Sequence, residues 1–348
     1  MSDSMTTTHY VHRQGDAVTR FFVAAPDSGR RPANGGLRLA PGLEDRAARA
    51  LAERLAHEMA VKHDLYATGF CGAKIVVVGF PSRSRLWPAV ADALNRFGGS
   101  VLTGCDMGVE CEDMRSLSGL TPHVLCGFRN PSVDVNTATA AGVVGAVDSV
   151  ADALGKERSG LSVLVHGVGK VGARVAAILR DRGAEVFTHD IRPEAVVDGC
   201  VPVGDWLGRP VDVLVPCSGS GLIDERTAER LPCRAIAGAA NALLTRPQIT
   251  SRILRRRGIT HLPGPIVSSG AVICDSIEYY APAAFHGARP EELYAFVGQR
   301  TSRMAARFLR RVRDDRHGSA ARIVKEMAQE GRNAPPCSAL FAPVGSAA

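Results

Sequence analysis

The sequence predicts an α/β protein with two domains. Short apolar runs typical of buried strands alternate with amphipathic stretches typical of helices along most of the chain. A glycine-rich loop at residues 167–172 lies near the middle of a chain of 348 residues, which is longer than one ordinary domain. We therefore expect one α/β domain before the loop and a second one built around it.

The first half of the chain alternates between strand and helix patterns. Residues 1–18 are polar, and we expect them to be poorly ordered before a first strand at 21–25. Apolar residues at three- and four-residue steps predict a helix over 44–63. Further strands are predicted at 75–78 and 101–103, and further helices at 87–97 and 138–154.

A dinucleotide site is predicted between residues 162 and 190, where a strand, a glycine loop, a helix and a second strand follow one another. Gly167 would make the tight turn, Gly169 would let the backbone approach a pyrophosphate, and Gly172 would let the helix pack closely on the strand. The amino end of the helix presents N–H groups to the anion. This order of elements is typical of a Rossmann domain.

The second strand of this unit ends at Asp190, whose carboxylate would accept hydrogen bonds from the ribose hydroxyls. A carboxylate repels a 2′-phosphate, so the sequence favours NAD over NADP. Arg192, two residues later, weakens that preference. Beyond this point strands are predicted at 211–215, 235–237 and 259–262, and helices at 274–283 and 290–313. The tail from residue 314 has a short helical patch near 319–330 and no predicted site.

Composition limits the partners and the setting. The net charge is +7, but much of the excess lies in arginine groups at 252–257 and 302–313 that are typical of solvated helix faces, so we expect no nucleic-acid role. The nine cysteines are scattered without a CxxC pair, which predicts reduced thiols and no metal site. No apolar run is long enough to span a membrane and the amino end has no signal core, so we expect a cytoplasmic protein without membrane contact.

Several separate motifs occur in the order seen in one enzyme family. They are Gly35-Gly36-Leu37-Arg38, Met59-Ala60-Val61-Lys62, Gly72-Ala73-Lys74, Gly79-Phe80-Pro81, Cys105-Asp106-Met107-Gly108, Asn130-Pro131-Ser132, Thr139-Ala140-Ala141-Gly142, the glycine loop, Ala237-Gly238-Ala239-Ala240-Asn241 and Val267-Ser268-Ser269-Gly270-Ala271-Val272. In these motifs the chain resembles the glutamate/leucine/phenylalanine/valine dehydrogenase family over roughly residues 20–285.

The resemblance implies a substrate-binding and catalytic domain at 18–138, a Rossmann NAD-binding domain at 139–285 and a cleft between them. It also leads us to expect a helix at 286–313 that packs back toward the first domain, and a tail at 314–348. The implied reaction is reversible NAD-dependent oxidative deamination of an L-amino acid to a 2-oxo acid and ammonia. The implied assembly is a homo-oligomer, a dimer or higher.

The resemblance also assigns roles to single residues. Lys62 would hold the α-carboxylate of the substrate, Lys74 would activate the attacking water, and Asp106 would move protons to and from the substrate amine. Two lysines in one closed site repel each other and lose water, and both effects lower an amine pKa toward the working pH. The remaining substrate-binding residues are Gly36, Met59 and Asn241, and the cofactor-binding residues are Thr139, Gly167, Gly169, Lys170, Val171, Gly172, Asp190, Ile191, Cys217 and Asn241.

Four further positions would line the side-chain end of the substrate pocket by the same resemblance. These positions hold Asn34, Gly104, Val272 and Asp275, and they supply no cation for a glutamate side chain. A buried carboxylate at Asp275 would favour a substrate that brings a cation or a strong hydrogen-bond donor. We therefore expect an amino acid with a polar or basic side chain, used in a dedicated biosynthetic pathway. The alternative is that Asp275 only caps the helix that follows it.

Departures from the family pattern leave other functions open. The paired glycine before the catalytic lysine is Cys71-Gly72 here, the Asn-Ala-Gly-Gly turn is Ser268-Ser269-Gly270-Ala271, and Ala242 follows Asn241. One alternative is a catalytically weakened homologue that binds NAD and a ligand as a structural or regulatory protein. Another is reduction of an imine formed from a different amine.

Overall fold

The computed structural model describes residues 5–27, 31–315 and 319–343. They form two compact units, each made of several chain segments. The first unit holds the described residues up to Pro131 together with 275–286 and 328–342, and the second holds 132–274 and 287–327. Each unit contains one six-stranded sheet with helices, so the predicted α/β class is confirmed.

The sheet of the first unit mixes antiparallel and parallel strands. Strands β1 (Met5–Gln14) and β2 (Ala17–Pro26) form a hairpin, and β2 pairs antiparallel with β5 (Lys74–Gly79). Strand β3 (Ala33–Leu39) runs parallel to β4 (Cys71–Gly72), β5 and β6 (Val101–Cys105). Strand β3 therefore lies between β5, which begins at Lys74, and β6, which contains Gly104.

The first unit packs a helix on this sheet through small side chains. Helix α1 (Asp45–Tyr66) buries Ala48, Ala52 and Ala56 against Phe22 and Val76. A Cβ at Gly72 would lie 2.2 Å from the Ala56 carbonyl oxygen, so only glycine allows β4 to approach the helix this closely. The other helices wholly or largely in this unit are α2 (Arg83–Arg96), α3 (Cys111–Ser118) and α10 (Pro282–Gly287).

The expectation of poor order over residues 1–18 is wrong for the described part of that segment, which forms β1 and the start of β2. Threonine, tyrosine and valine in β1 favour a strand, and cross-strand pairs fix its alignment with β2. The His9 ring stacks on Phe22 with centroids 4.3 Å apart, and Tyr10 stacks on Phe21. Residues 1–4 lie outside the described residues.

The sheet of the second unit is entirely parallel. Its strands are β7 (Ser162–His166), β8 (Glu185–His189), β9 (Val201–Pro202), β10 (Val211–Pro216), β11 (Cys233–Ile236) and β12 (Thr260–His261). Their spatial order is β12-β11-β10-β7-β8-β9. This is the doubly wound Rossmann order, in which ligands bind at the carboxyl ends of the strands where the order reverses, here between β7 and β10.

Helices flank this second sheet. They are α4 (Val135–Leu154), α5 (Gly172–Asp181), α6 (Glu225–Arg230), α7 (Pro247–Arg256), α8 (Gly264–Val267) and α11 (Pro290–Asp314). Helices α9 (Gly270–Tyr280) and α12 (Ala320–Arg332) pass from one unit to the other. Among the described residues, no helix combines the length and hydropathy needed to cross a membrane.

The unit boundaries differ from those expected at 138/139 and 285/286. All of α4 belongs to the second unit, whose first segment begins at Ser132. The helix expected at 286–313 corresponds to α11, which lies along α4 within the second unit. A Cβ at Gly145 would lie 2.1 Å from the Gly298 carbonyl oxygen, so paired glycines bring these two helices into close contact.

The expected tail contains ordered structure. Its predicted helical patch is confirmed as α12, and residues 328–342 belong to the first unit. Arg332 donates two hydrogen bonds to the Asp64 carboxylate, at 2.9 and 2.6 Å, and the Cys337 backbone N–H donates to the Ala67 carbonyl. These bonds hold the segment against the end of α1.

Candidate functional site

A lysine and an aspartate meet where the central strands of the first unit lie side by side. Lys74 is the first residue of β5 and Asp106 directly follows β6. The Lys74 Nζ lies 2.5 Å from the Asp106 Oδ2, and the two side chains are 5% and 21% exposed. Arg38 in β3 donates to the same carboxylate through Nε at 2.8 Å. The carboxylate therefore has two cationic partners.

These contacts determine the charge of the pair. Burial alone would raise the pKa of Asp106, but the Lys74 ammonium and the Arg38 guanidinium outweigh it and hold that pKa well below its usual range. Burial lowers the pKa of Lys74, against the opposing effect of Asp106. The carboxylate is thus ionised, and the lysine is closer to releasing its proton than an exposed lysine would be.

Lys62 is a second buried amine coupled to this pair. It lies in the last turns of α1, one turn after the half-buried Met59. Burial and the charge of Lys74 lower the pKa of Lys62 to about 8. A Cβ at Gly36 would lie 2.9 Å from the Asp106 Cβ and 3.2 Å from the Lys74 Nζ, so glycine leaves the space beside both groups open.

Asn34 and Asp275 also meet, as the resemblance predicts for one pocket. The Asn34 Nδ2 donates to the Asp275 Oδ2 at 2.8 Å. The Asn34 Oδ1 is buried and has no hydrogen-bond partner among the residues that the structure describes. Asp275 lies in the middle of α9, which begins at Gly270, so the alternative that it caps this helix is wrong.

The Asp275 carboxyl differs from Asp106 because no cation contributes to its pKa. Burial and the nearby Glu278 raise the pKa of Asp275 to about 8, while the hydrogen bond from Asn34 opposes this rise. The carboxyl is therefore mainly protonated at neutral pH. It offers one O–H donor and acceptor oxygens.

The structure describes the surroundings of the two smaller residues expected along this pocket, Gly104 and Val272. A Cβ at Gly104 would lie 2.5 Å from the Leu125 carbonyl oxygen, so glycine is needed for close packing of the backbone. Val272 is 4% exposed and belongs to the second unit.

The glycine loop of the second unit lies between β7 and α5. Gly167 has φ +95°, a conformation that favours glycine. A Cβ at Gly172 would lie 1.9 Å from the Gly167 carbonyl oxygen, whereas a Cβ at Gly169 would meet no atom within 4 Å. The loop thus packs tightly at Gly172 and is open at Gly169, which is the arrangement that a pyrophosphate against the backbone requires. Residues Lys170 and Val171 complete the loop, the first exposed and the second half-buried.

Asp190 closes the loop from the end of β8. Its Oδ2 accepts a hydrogen bond from the Val168 N–H at 2.7 Å, and its Oδ1 accepts from the backbone N–H and the Nε of Arg192. Burial would raise the pKa of Asp190, but these hydrogen bonds outweigh it and lower the pKa to about 2. The next residue, Ile191, is 90% exposed, which is unusual for a large apolar side chain.

The other cofactor-binding candidates lie in the same unit. The Asn241 Oδ1 accepts a hydrogen bond from the Ser268 hydroxyl at 2.9 Å. The Thr139 hydroxyl donates to the Val135 carbonyl in its own helix. Cys217 directly follows β10, and its backbone N–H donates to the His166 carbonyl at the end of β7. Cys217 therefore lies at the point where the strand order reverses.

Two residues at the site have no role in the sequence analysis. Arg38 lies two residues after Gly36 in β3. Because side chains two residues apart in a strand lie on the same face of the sheet, this spacing indicates that Arg38 faces the same site as Gly36. Glu278 is buried and accepts hydrogen bonds from the backbone N–H groups of Gly127 and Arg129. Nothing in the sequence pattern indicates this long-range contact.

Comparisons with known proteins identify relatives of this chain. The family model for Glutamate/Leucine/Phenylalanine/Valine dehydrogenase matches residues 193–330. A phenylalanine dehydrogenase from Caldalkalibacillus thermarum is 31% identical over 284 residues, which cover 75% of each chain. An L-tryptophan dehydrogenase from Nostoc punctiforme is 28% identical over 263 residues, covering 72% of this chain and 74% of that protein.

A solved structure has the same fold. The hetero-hexameric glutamate dehydrogenase from Thermus thermophilus, in its leucine-bound form, aligns with a TM-score of 0.74 and 21% identity. The alignment covers 94% of this chain and 88% of that one. At this identity the similarity establishes the architecture alone.

Proposed function

The chain belongs to the glutamate/leucine/phenylalanine/valine dehydrogenase family, and from that premise we propose that it catalyses reversible NAD-dependent oxidative deamination of an L-amino acid. The observation that carries the proposal is the set of two buried lysines, Lys62 and Lys74, with the half-buried Asp106. Membership of the family makes it an amino acid dehydrogenase that needs a nicotinamide cofactor. The choice of NAD, the substrate and the residue roles are the proposal.

Each charged group has a role that its surroundings support. Lys62, protonated below a pKa of about 8, would bind the α-carboxylate of the substrate. Lys74, whose pKa is lowered by burial, would take a proton from the water that attacks the imine carbon. Asp106 would exchange protons with the substrate nitrogen. Arg38 would keep Asp106 oriented and ionised between these transfers.

The residues of the second unit fit a dinucleotide. The nicotinamide ring, when bound, accepts the hydride from the substrate Cα. The open backbone at Gly169 and the amino end of α5 would hold the pyrophosphate, and Asp190 would bind the ribose hydroxyls. The ionised Asp190 supports NAD, because its carboxylate would repel a 2′-phosphate.

The remaining cofactor-binding residues would surround the dinucleotide. Ile191 would pack against its adenine side, and the rest of its surface would be lined by Thr139, Lys170, Val171 and Cys217. Asn241 would orient both cofactor and substrate. The hexameric assembly of the related glutamate dehydrogenase supports an oligomeric state for this chain.

We propose a substrate whose side chain carries a hydrogen-bond donor or a positive charge. The buried Asn34 Oδ1 lacks a donor among the described residues, and Asp275 beside it can accept a hydrogen bond or ionise against a cation. Leucine or valine would leave the Asn34 Oδ1 without a donor, at a cost of about 1–3 kcal/mol, and would offer the Asp275 carboxyl nothing beyond its hydrogen bond from Asn34. A lysine, ornithine or arginine side chain would satisfy them, and the indole N–H of tryptophan would satisfy one.

The rival function is a catalytically weakened homologue that binds NAD and a ligand. The pairing of Lys74 with Asp106 favours the enzyme, because a binding protein needs no such acid–base pair. Both proposals are tested by assaying NAD and NADP reduction with all proteinogenic amino acids and ornithine, using wild type, Lys74→Ala and the exposed control Lys325→Ala.

We expect turnover in wild type and in the control, and a loss of about 10²–10⁴-fold in kcat for Lys74→Ala. Cofactor affinity, measured by NADH fluorescence, should be unchanged in all three proteins. Absence of turnover in wild type with every substrate would support the binding protein. Faster turnover of leucine or phenylalanine than of arginine, lysine, ornithine and tryptophan would refute the substrate proposal while leaving the enzyme proposal intact.

A further inference from the structure

Three cysteines that are distant in sequence come together beside β6. Cys105 is the last residue of β6, and Thr103 in the same strand pairs with Val124 in a parallel bridge. The Leu125 N–H donates to the Thr103 carbonyl at 2.8 Å, which fixes this alignment. The bridge therefore places Cys126 opposite Cys105, two residues further along each segment.

The third cysteine arrives through the turn that follows Asp106. The Val109 N–H donates to the Asp106 carbonyl, and Glu110 and Asp113 form a capping box at the start of α3. Cys111 is the first residue of that helix, so the turn returns its thiol to the end of β6. The sulfur atoms of Cys105, Cys111 and Cys126 all lie within 4.8 Å of one another.

The spacing of these sulfur atoms matches that of a metal–thiolate centre. The Sγ atoms of Cys105 and Cys126 are 3.4 Å apart. With Zn–S bonds of about 2.3 Å, two sulfur ligands of a tetrahedral zinc ion lie about 3.8 Å apart. Small side-chain rotations would therefore bring all three sulfur atoms to ligand positions. Cys111 is exposed and Cys126 is buried, so an ion can enter from the Cys111 side.

We propose that Cys105, Cys111 and Cys126 form a binding site for a thiophilic divalent cation of the zinc type. Three S–H bonds break and three metal–sulfur bonds form, and the three protons pass to solvent without any change in oxidation state. Three converging thiols favour this assignment over a disulfide, which would use two sulfur atoms and leave the third without a role. The sequence spacing predicts no metal site because a strand bridge and a turn create the cluster.

The ion would connect the end of β6, the start of α3 and the segment that contains Cys126. These elements enclose the turn at 106–110, which begins with Asp106. Binding would therefore hold that turn in one position, and we expect the ion to raise the melting temperature of the protein. We also expect a single site, with no binding of further ions of the same kind.

The test is a titration of the reduced full-length protein with Co²⁺ and Cd²⁺ under anaerobic conditions, followed by a Zn²⁺ competition. We expect one ion per chain, with the thiolate charge-transfer absorption of the bound metal. Cys111→Ser, at an exposed position that should not affect folding, is expected to lower the affinity at least tenfold and to remove the Zn²⁺-dependent rise in melting temperature. The control is Cys200→Ser, at a half-buried thiol of the second unit.

A second measurement does not depend on stability. Bound Zn²⁺ should slow alkylation of Cys111 by iodoacetamide at least tenfold, as read by peptide mass spectrometry, and should leave Cys200 unaffected. The proposal is overturned if wild type shows no thiolate band, if the metal affinity of Cys111→Ser equals that of wild type, or if the band is lost in Cys200→Ser. The proposal would also be overturned if the protein bound no metal and treatment with peroxide oxidised two of the three thiols. That result would indicate a disulfide between Cys105 and Cys126.

Discussion

Two acidic side chains of the first unit, Asp106 and Asp275, lie in similarly enclosed surroundings but carry different charge. Asp106 contacts Lys74 and Arg38, which hold its pKa well below the usual range although burial acts in the opposite direction. Asp275 accepts a hydrogen bond from Asn34 and faces Glu278, and its pKa rises to about 8. Counter-charges, rather than burial, therefore decide which carboxyl is ionised.

This difference in charge suggests different roles for the two carboxyl groups. An ionised carboxylate that contacts a lysine is suited to proton exchange during the reaction. A neutral carboxyl beside an unpaired amide oxygen is suited to recognition, because it can donate, accept or ionise according to what binds. Two substitutions that replace each acid by its amide test these roles directly.

Asp106→Asn should have the largest effect. An amide cannot exchange protons in this way, and it leaves Lys74 and Arg38 near each other without their common counter-charge. We expect kcat to fall by about 10²–10⁴-fold, with NADH affinity unchanged. Steady-state kinetics and fluorescence titration measure the two quantities. Asp92→Asn, which removes an exposed acid from an ion pair with Arg96, is the matched control. A loss smaller than tenfold would exclude Asp106 as the proton-exchanging group.

Asp275→Asn should have a smaller and more selective effect. The amide preserves size and hydrogen bonding but cannot ionise against a cation. We expect kcat/KM for lysine, ornithine or arginine to fall by about 10–100-fold, which corresponds to the loss of a hydrogen bond to a charged group. Turnover of leucine should change much less. The ratio of kcat/KM values between basic and apolar substrates is the measurement, and an equal loss for both classes would show that Asp275 is structural.

Much of the catalytic centre was predictable because its parts lie in short continuous motifs. Lys62 follows a helical pattern, Lys74 begins an apolar strand and Asp106 follows one. Their meeting depends on strand register, because Leu37 of β3 lies opposite both Ile75 and Cys105. The glycine loop was predictable for the same reason, since turn, helix and strand are contiguous. The roles of these residues came from the family resemblance and stay predictions.

The sequence analysis did not predict the features that depend on long-range pairing. Strand β1 has no apolar run, and its order depends on the cross-strand contacts of His9 and Tyr10. The helix α11 packs on α4 through Gly145 and Gly298, which are separated by most of the second unit. Helix α9 begins at Gly270, where a Cβ would lie 2.3 Å from the Ala138 carbonyl oxygen, so Asp275 lies within the helix rather than at its start. Local sequence patterns contain no information on such partners.

The smallest predicted effect concerns Lys62, the lysine proposed to bind the substrate carboxylate. The pKa of Lys62 is lowered to about 8 by burial and by Lys74 in β5, while Glu58 in its own helix and Asp106 act in the opposite direction. Only the protonated amine attracts a carboxylate, so affinity should be full below pH 8 and should decrease as the pH rises through that value. We expect KM for the 2-oxo acid to rise about tenfold between pH 7 and pH 9.

The reductive direction is the better one for this measurement, because a 2-oxo acid has no amine that titrates. Saturating ammonia should be kept at each pH. Lys62→Arg is the matched variant, since a guanidinium stays charged throughout this range and should make KM independent of pH, even if its absolute value changes. A KM that rises equally in wild type and in Lys62→Arg would assign the titration to another group and would remove Lys62 from the role of pH-sensitive carboxylate ligand.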